Sequence, residues 1–536
     1  MSKLISHKRL RNSVAAIATV VTMTAAAAPA ATPRLVVGIF VKELDMQQLE
    51  VLREHFGTGG FKRLMSDGVV ITGADYGTSL DAVAATTMAV TGSSPRANGI
   101  AAAMKYDSEG RRTVFTLSDE RYIGNYTNET FSPQAINVST IADEVRIAGD
   151  GITAAYGIAA DAQQAIVLAG HAANAALWIN GASGNWASTT YYKDIPQALQ
   201  LRNRAKPLAA RLDTMSWQPL TTPAHYPGLP DHLTHYPFRH TFGSALANRY
   251  DVFKASALCN SEVTDMACDV MATMGAHDGI DMLSVAYDLT PYPYSRTTDN
   301  RFELIDAYLR LDRDIARLLQ AADKAGGGRD AAIAFVVGTP PQRRQRKDDD
   351  KFNIPYGEFS SRKAVSLLNM YLIAVYGNGD WVKGYYDHYF YLNTRLAKDR
   401  NIDISDMRGE AADFLKRMSG IKSAYTSEEI LTGTAGEYGA ELRRNTTVAT
   451  AGDVLIEVLP GWETIDDYNT PGDAARVQMV ERAAATTAPA FIIAPGITPC
   501  VITEAVDARA LARTIAGILR IRAPNAAYTR AISLRR

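Results

Sequence analysis

Short apolar runs alternate with amphipathic stretches along this chain. The run LVVGIFV (35–41) is short and rich in β-branched residues, which predicts a buried parallel strand. Two short helices are predicted after it, the second ending at Gly68. The clearest helix is predicted over 301–324, where apolar residues recur on one face. Further buried strands are predicted at 152–159, 282–289, 331–338 and 490–495, with another helix at 507–519.

This alternation of strands and helices indicates an α/β protein with a mostly parallel sheet covered on both faces. Two segments break the alternation. Residues 185–263 are rich in Pro, His and Tyr, and residues 340–453 contain a charge run (343–351) and the aromatic sequence GYYDHYFYLN. Both are predicted to be insertions that form a cap over one edge of the sheet.

The amino terminus has the features of an export signal. Its basic start is followed by the mostly apolar run 14–28 and the small-residue site Ala28-Pro29-Ala30. A signal peptide over residues 1–30 is therefore predicted, with a mature domain over 31–536 and a periplasmic or extracellular location. An uncleaved anchor is the alternative, disfavoured because the run is shorter than the roughly 20 apolar residues that span a bilayer.

Composition is that of an ordinary globular protein, with 47% hydrophobic and 21% charged residues. The net charge of -1 gives no field that would favour nucleic acid or an anionic membrane surface. Three cysteines are present, at positions 259, 268 and 500. Cys259 and Cys268 are either a disulfide pair or buried small side chains, and no pair has zinc-finger spacing.

Several long stretches carry a resemblance to a known family. The stretches are RLVVGIFV, GTGGFKRLMSDG, AVTGSSPRANGIAA, SGNWASTTYY, AYLRLDRDIARLL, YGNGDWVKGYYDHYFYLN, GDVLIEVLPGW and ARTIAGILRIRAPNAA. With these stretches, the chain resembles the bacterial alkaline phosphatases with a threonine nucleophile (the PafA type), relatives of the nucleotide pyrophosphatase/phosphodiesterases. The resemblance covers essentially the whole mature chain and implies a doubly wound α/β/α sandwich with a cap.

The family chemistry implied by this resemblance needs two zinc ions, held by three Asp and three His. The ions activate a Thr hydroxyl for in-line attack on phosphorus, and an Asn, a Lys and an Arg hold the phosphate oxygens. In this chain the nucleophile position is Ala82, and the His position four residues later is Thr86. The Asn, Lys and Arg positions are Ala103, Asp161 and Gln163.

The metal positions implied by the resemblance are replaced as well. None of the six carries a residue that commonly binds zinc, so we expect no zinc cofactor and no family mechanism. The six positions are Lys42, Pro291, Ser295, Thr339, Pro340 and Thr487.

Lys42 places a cation where the resemblance implies a carboxylate. A buried ammonium needs a partner to keep its proton, so an internal ion pair is predicted. Asp288 is the first candidate partner, because it lies three residues before the replaced position 291, and Asp161 is the second.

Other polar residues are candidates for a relocated site, but their patterns favour packing roles. The loop PAHYPGLPDHLTHYPFRH holds four histidines without a standard zinc spacing. His171 is interpreted as structural, the Asp387-His388 pair as cap packing, and Thr78 and Ser79 as poor nucleophiles without a metal or base. The four histidines of the loop are His225, His232, His235 and His240.

Three functions remain open from the sequence. The leading hypothesis is an exported pseudophosphatase with a binding or assembly role. The second is a phosphate- or sulfate-ester hydrolase with a relocated site, and the third is a small-molecule binding protein that uses the former active-site pocket. The partner is a protein or a small molecule that the sequence does not identify.

Overall fold

The computed structural model describes residues 34–535 with gaps. The predicted signal peptide and His232 lie outside the described residues. The gaps are 194, 223–224, 228, 230–232, 234, 236, 276, 296–298, 330–331, 342–356, 438, 469–478 and 481–484.

The strands are, in chain order, β1 (Leu35–Lys42), β2 (Val69–Asp75), β3 (Met104–Asp107), β4 (Arg112–Phe115), β5 (Gly124–Asn125), β6 (Ala155–Ile158), β7 (Ala175–Ile179), β8 (Trp186–Thr189), β9 (Ser216–Trp217), β10 (His240–Thr241), β11 (Asp281–Asp288), β12 (Ala332–Gly338), β13 (Glu358–Ser360), β14 (Val382–Tyr386), β15 (Tyr389–Leu392), β16 (Ile421–Thr426), β17 (Val454–Val458), β18 (Glu463–Ile465), β19 (Met479–Val480), β20 (Thr487–Ile493), β21 (Cys500–Ile502) and β22 (Val506–Asp507).

The helices are α1 (Met46–Leu52), α2 (Phe61–Asp67), α3 (Ala82–Thr91), α4 (Pro95–Asn98), α5 (Ile141–Ala148), α6 (Ala162–Ala169), α7 (Gln197–Ala205), α8 (Leu208–Leu212), α9 (Arg249–Lys254), α10 (Ala257–Met271), α11 (Arg301–Gly326), α12 (Ser361–Tyr376), α13 (Thr394–Asp399), α14 (Ile404–Leu415), α15 (Ser427–Thr432), α16 (Gly439–Asn445) and α17 (Ala510–Leu519).

One large sheet forms the centre of the molecule. Its strand order is β21-β2-β20-β12-β1-β11-β6-β7-β8-β5, and β22 pairs with β2. The run from β12 to β7 is parallel, whereas β20 is antiparallel to both of its neighbours. Successive side chains of β1 enter two hydrophobic clusters on opposite faces, which confirms the predicted α/β sandwich.

The structure corrects the prediction that residues 185–263 form a first cap insertion over the edge of the sheet. This segment contributes strand β8 to the main sheet, and Trp186 and Trp217 are buried in the same cluster as β1. The Pro-, His- and Tyr-rich sequence therefore covers one face of the sheet instead of its edge, because its aromatic side chains pack into the main core.

The second predicted insertion has a hydrophobic core of its own. Strands β14-β15-β17-β16 form a separate sheet, and α12 and α14 pack against it around Trp381 and Phe390. The core includes Val458 and contacts Tyr468, so this unit extends beyond the predicted end at residue 453.

The three cysteines are all free. Cys259 and Cys268 both lie on α10, more than two helical turns apart. That separation along the axis is about 13 Å, well beyond the Cα distance that a disulfide can bridge. The alternative of a disulfide is therefore wrong for this pair. Within the described part of the chain, none of the helices has the length and apolarity to cross a bilayer.

Helix α11 carries acidic side chains that its periodicity places outside the apolar stripe, yet they are buried. Each holds a neighbouring element: the carboxylate of Asp312 accepts hydrogen bonds from the backbone N–H groups of Gly57 and Phe61 at the start of α2, both 2.7 Å. The buried acidic residues of α11 are Glu303, Asp306, Asp312 and Asp314.

Asp314 gives a test of this burial. Burial raises the pKa of Asp314 to about 6, although the hydrogen bond from Ser261 and the charge of Arg317 act to lower it. A carboxyl pKa that is higher in the folded than in the unfolded state stabilises the fold at pH values below the unfolded-state pKa. This stabilisation is lost as the pH rises through about 6. The free energy of unfolding of wild type relative to Asp314→Asn should therefore fall by about 2 kcal/mol between pH 4 and pH 7. Denaturant titrations at several pH values measure it; parallel pH profiles would contradict the assignment.

Candidate functional site

The carboxyl ends of the parallel strands surround a pocket at one edge of the central sheet. Ligands bind at this edge in open α/β sheets. The cavity volume is about 410 Å³. Most of the positions assigned from the resemblance line it, namely Lys42, Ala82, Thr86, Ala103, Asp161, Gln163 and Thr339. Asp288, the predicted partner of Lys42, lines it as well.

Ala82 is the first residue of α3 and presents only a methyl group. Asp81 caps this helix: its carboxylate accepts hydrogen bonds from the backbone N–H groups of Ala84 and Ala103. Burial raises the pKa of Asp81, and the charge of Asp387 adds to the increase, while the two N–H donors oppose it. The start of α3 is thus tied to the loop at Ala103 by a carboxylate.

Lys42 and Asp288 form the ion pair predicted first. They are register partners at the ends of β1 and β11, and the Lys42 Nζ atom lies 3.1 Å from the Asp288 Oδ2 atom. Their side chains are 39% and 40% exposed, so the expectation of a buried ammonium is wrong. The pocket is open to solvent here, and a pair this exposed contributes at most about 1 kcal/mol to stability.

Asp161, the second predicted partner, caps helix α6. Its Oδ1 atom accepts hydrogen bonds from the backbone N–H groups of Gln163 and Gln164 at 2.9 and 3.1 Å. Gln163 is buried, and its Oε1 atom accepts a hydrogen bond from the Leu117 N–H at 3.1 Å. These residues fix the loop after β6 and make the pocket wall rich in acceptors.

The sequence model of the type I phosphodiesterase / nucleotide pyrophosphatase family matches residues 44–353. The chain belongs to this family. It is 26% identical over 518 residues to a protein named calcium-transporting ATPase from Myroides odoratus, covering 92% of this chain and 93% of that one. It is 25% identical over 421 residues to alkaline phosphatase PafA from Elizabethkingia meningoseptica, covering 74% and 76%.

Crystal structures of PafA share the fold. The wild-type enzyme and a variant with a Thr, an Asn, a Lys and an Arg substituted match this chain with TM-scores of 0.78 and 0.79. Each match has 22% sequence identity and covers 93% of this chain and 98% of the other. The chain therefore has the fold of PafA.

Four of the positions assigned as family zinc ligands do not line the pocket. Ser295 donates a hydrogen bond to Glu303 at 2.7 Å, Pro340 is buried, and Thr487 is exposed at the start of β20. Pro291 follows the end of β11 and cannot ligate through its side chain. Thr339 does line the pocket, but its hydroxyl accepts a hydrogen bond from the Glu43 N–H.

Two zinc ions of the family type do not fit the pocket residues. Among residues 34–535 outside the gaps, no group of three or more His, Cys, Asp or Glu side chains converges to hold a metal. The Lys42 ammonium also lies beside the Asp288 carboxylate. It therefore occupies the position in which a metal cation would need that carboxylate as a ligand.

Two histidines of the Pro- and Tyr-rich loop, His225 and His240, have different contacts. The Nδ1 atom of His225 lies 3.1 Å from the hydroxyls of Thr221 and Thr222. His240 is buried among aromatic rings, stacked on Phe238, with its Nε2 atom 3.2 Å from Glu303. The hypothesis of a metal site in this loop gains no geometric support from these residues.

His171, interpreted from the sequence as structural, contacts two neighbouring groups. The ring of His171 bridges Asp143 (3.2 Å) and the Ile136 carbonyl (3.0 Å), and the bond with Asp143 raises the pKa of His171. Asp387 and His388 form the turn between β14 and β15, both with positive φ. Thr78 and Ser79 do not line the pocket.

Sequence reasoning missed several pocket residues. Lys254 and Asn260 come from the segment interpreted as a cap, and Phe115 comes from the β3–β4 hairpin. Asn260 exchanges hydrogen bonds with the backbone of Asp288, which fixes the end of β11. No motif marks these residues, because the tertiary packing of distant elements brings them to the pocket.

Proposed function

We propose that this chain is an exported, non-hydrolysing member of the family that binds a ligand or partner through the pocket at the strand ends. The observation that carries the proposal is the first residue of α3: Ala82 faces the pocket without a hydroxyl. A Lys42–Asp288 ion pair lies in the same pocket. Without nucleophile, metal ligands and phosphate clamp, the mechanism of the catalytic relatives has no remaining part.

The PafA variant supports this assignment of positions. Its substituted Thr and Asn are as far apart in sequence as Ala82 and Ala103 are here. Its substituted Lys and Arg are separated by one residue, as Asp161 and Gln163 are. The agreement of both separations supports the inference that these four positions correspond.

Hydrolysis assays test the proposal. We expect no turnover of 4-nitrophenyl phosphate, bis(4-nitrophenyl) phosphate or 4-nitrophenyl sulfate above background, with or without added zinc, because the pocket lacks an activated nucleophile. The matched control is Thr86→Val, which removes a hydroxyl that lines the pocket one helical turn beyond Ala82. Turnover by the wild type that Thr86→Val abolishes would overturn the proposal.

Phosphate-ester hydrolysis with a relocated site is the second candidate function. It is favoured by the family match and by the names of relatives such as alkaline phosphatase PafA. The hydroxyl of Thr86 is then the group to test, since Thr86 is buried and lines the pocket.

Stability should not depend on metal. A ligand that binds only the folded state stabilises it by about 4 kcal/mol at a thousandfold excess over Kd. Because the pocket residues do not fit zinc, the thermal midpoint should be the same with a chelator, without additions and with excess zinc. Differential scanning calorimetry on untagged protein measures the midpoint. A fall of several degrees with the chelator would reveal a metal site and reopen the hydrolase hypothesis.

A further inference from the structure

The two helices that begin at the pocket have their N-termini occupied by carboxylates. Free backbone N–H groups at a helix N-terminus attract anions. Here Asp81 accepts from the first turn of α3, and Asp161 accepts from the first turn of α6. An anionic ligand would therefore meet two carboxylates where the helix ends would otherwise bind it.

The basic side chains of the pocket are already engaged. The Lys42 ammonium is paired with Asp288, and the Lys254 Nζ atom donates to the Ile179 carbonyl at 3.3 Å. The lining contains three carboxylates, of Asp81, Asp161 and Asp288, against these two ammonium groups. The charge balance disfavours a phosphate dianion and favours a cation.

Acceptors on the first turn of α6 remain available. The Oδ1 atom of Asp161 serves as the helix cap, whereas its Oδ2 atom has no hydrogen-bond partner among the described residues, and the residue is exposed. Gln164 lines the pocket, and its buried Oε1 atom also has no partner within the described chain. A half-turn of this amide would exchange the positions of its oxygen and its NH2 group.

An apolar surface belongs to the same pocket lining. Phe115 is 46% exposed and packs edge-on against Phe131, which fixes its ring. Val83 and Ala160 add aliphatic surface. A fixed, exposed aromatic ring at a pocket favours a ligand with an apolar body, and its face also attracts cations.

We propose that the pocket binds a small organic cation, an ammonium or guanidinium group on an apolar body, with the Asp161 carboxylate as its main acceptor. This inference rests on the proposed binding function and names its ligand class. The cation donates to the Oδ2 atom of Asp161 and to the amide oxygen of Gln164, and its apolar body packs on Phe115.

Calorimetric titration of the full chain at low ionic strength tests this inference. The probes are 2-phenylethylammonium, the anion 3-phenylpropanoate and phenyl phosphate, which share a phenyl ring and differ in charge. We expect binding of the ammonium only. Asp161→Asn should weaken it about ten- to a hundredfold, because one charge-assisted hydrogen bond is lost. Gln164→Leu should weaken it less.

The control variant is Asp403→Asn. Asp403 caps α14 in the same way, accepting from the N–H groups of Ser405 and Asp406, and it is not in the pocket lining. Asn caps a helix as well as Asp, so both Asn variants should fold and unfold like wild type. Affinity for the ammonium should be unchanged in Asp403→Asn.

The outcomes separate the two proposals. Binding of phenyl phosphate without hydrolysis, or no binding of 2-phenylethylammonium, overturns the cation inference and leaves the non-hydrolysing proposal in place. Equal loss of affinity in Asp161→Asn and Asp403→Asn also overturns it. Hydrolysis of phenyl phosphate overturns the proposed function itself.

Discussion

Replacing Asp306 with alanine should destabilise the protein by about 4 kcal/mol. Asp306 has no exposed surface, and its carboxylate accepts hydrogen bonds from Trp217 Nε1, the Leu220 N–H, the Tyr226 hydroxyl and Arg310 Nε at 2.6 to 2.8 Å. Alanine would leave the Trp217 indole N–H and the Tyr226 hydroxyl without this acceptor in a buried place, whereas the Leu220 N–H would keep the Tyr226 oxygen as its acceptor. The segment around Trp217 would then lose its attachment to α11.

Denaturant unfolding of Asp306→Ala and of Asp213→Ala measures this effect. Asp213 is 52% exposed and pairs with Arg249, so its removal should change the free energy of unfolding by at most about 1 kcal/mol. Asp306→Asn keeps the side-chain volume and one acceptor, and should be intermediate if the alanine variant does not fold. Similar losses in Asp306→Ala and Asp213→Ala would show that the buried network contributes little.

The central strands could be predicted from sequence because they are buried on both faces. The runs predicted at 35–41, 282–289 and 331–338 correspond to β1, β11 and β12 within one or two residues. Uninterrupted apolar runs of this length have few alternatives in an α/β protein. The predicted strand at 490–495 starts later than the observed β20, because Ala488 and Pro489 are both disfavoured in strands.

Burial of polar helix faces and loops could not be predicted in the same way. The periodicity of α11 identifies its apolar stripe, but Asp306 and Asp312 are buried because distant loops fold against them. The same contacts place Trp217 in the main core, which made the interpretation of 185–263 as a cap wrong. Hydropathy patterns describe an element by itself, whereas these burials depend on its neighbours.

The residues of the pocket could be predicted only from the resemblance to the family. The resemblance assigned Ala82, Ala103 and Asp161, and the structure brings all three to one cavity. The Lys42–Asp288 pair follows from parallel register, since both residues end paired strands. The exposure of that pair and the presence of Phe115 depend on the shape of the cavity, which the sequence does not encode locally.

Replacing Gly157 with alanine should destabilise the protein by at least about 3 kcal/mol and abolish ligand binding at the pocket. A Cβ atom at Gly157 in β6 would lie 2.2 Å from the Ala165 carbonyl oxygen and 2.6 Å from the Ala169 nitrogen. Both are backbone atoms of α6, so the whole helix would have to move away from the sheet. Helix α6 starts at the pocket with Asp161 as its cap, and the acceptors would move with it.

Gly517→Ala is the matched control for this substitution. Gly517 is exposed in the last turn of α17, and a Cβ atom there meets nothing within 4 Å. Alanine should therefore stabilise the protein, by up to about 1 kcal/mol, through its higher helix propensity. Thermal and denaturant unfolding show whether each variant is more or less stable than the wild type. Titration with 2-phenylethylammonium measures the affinity of the pocket in each variant. If Gly157→Ala were as stable as wild type and bound the ammonium equally well, the close packing of α6 on β6 would not be what positions the acceptors.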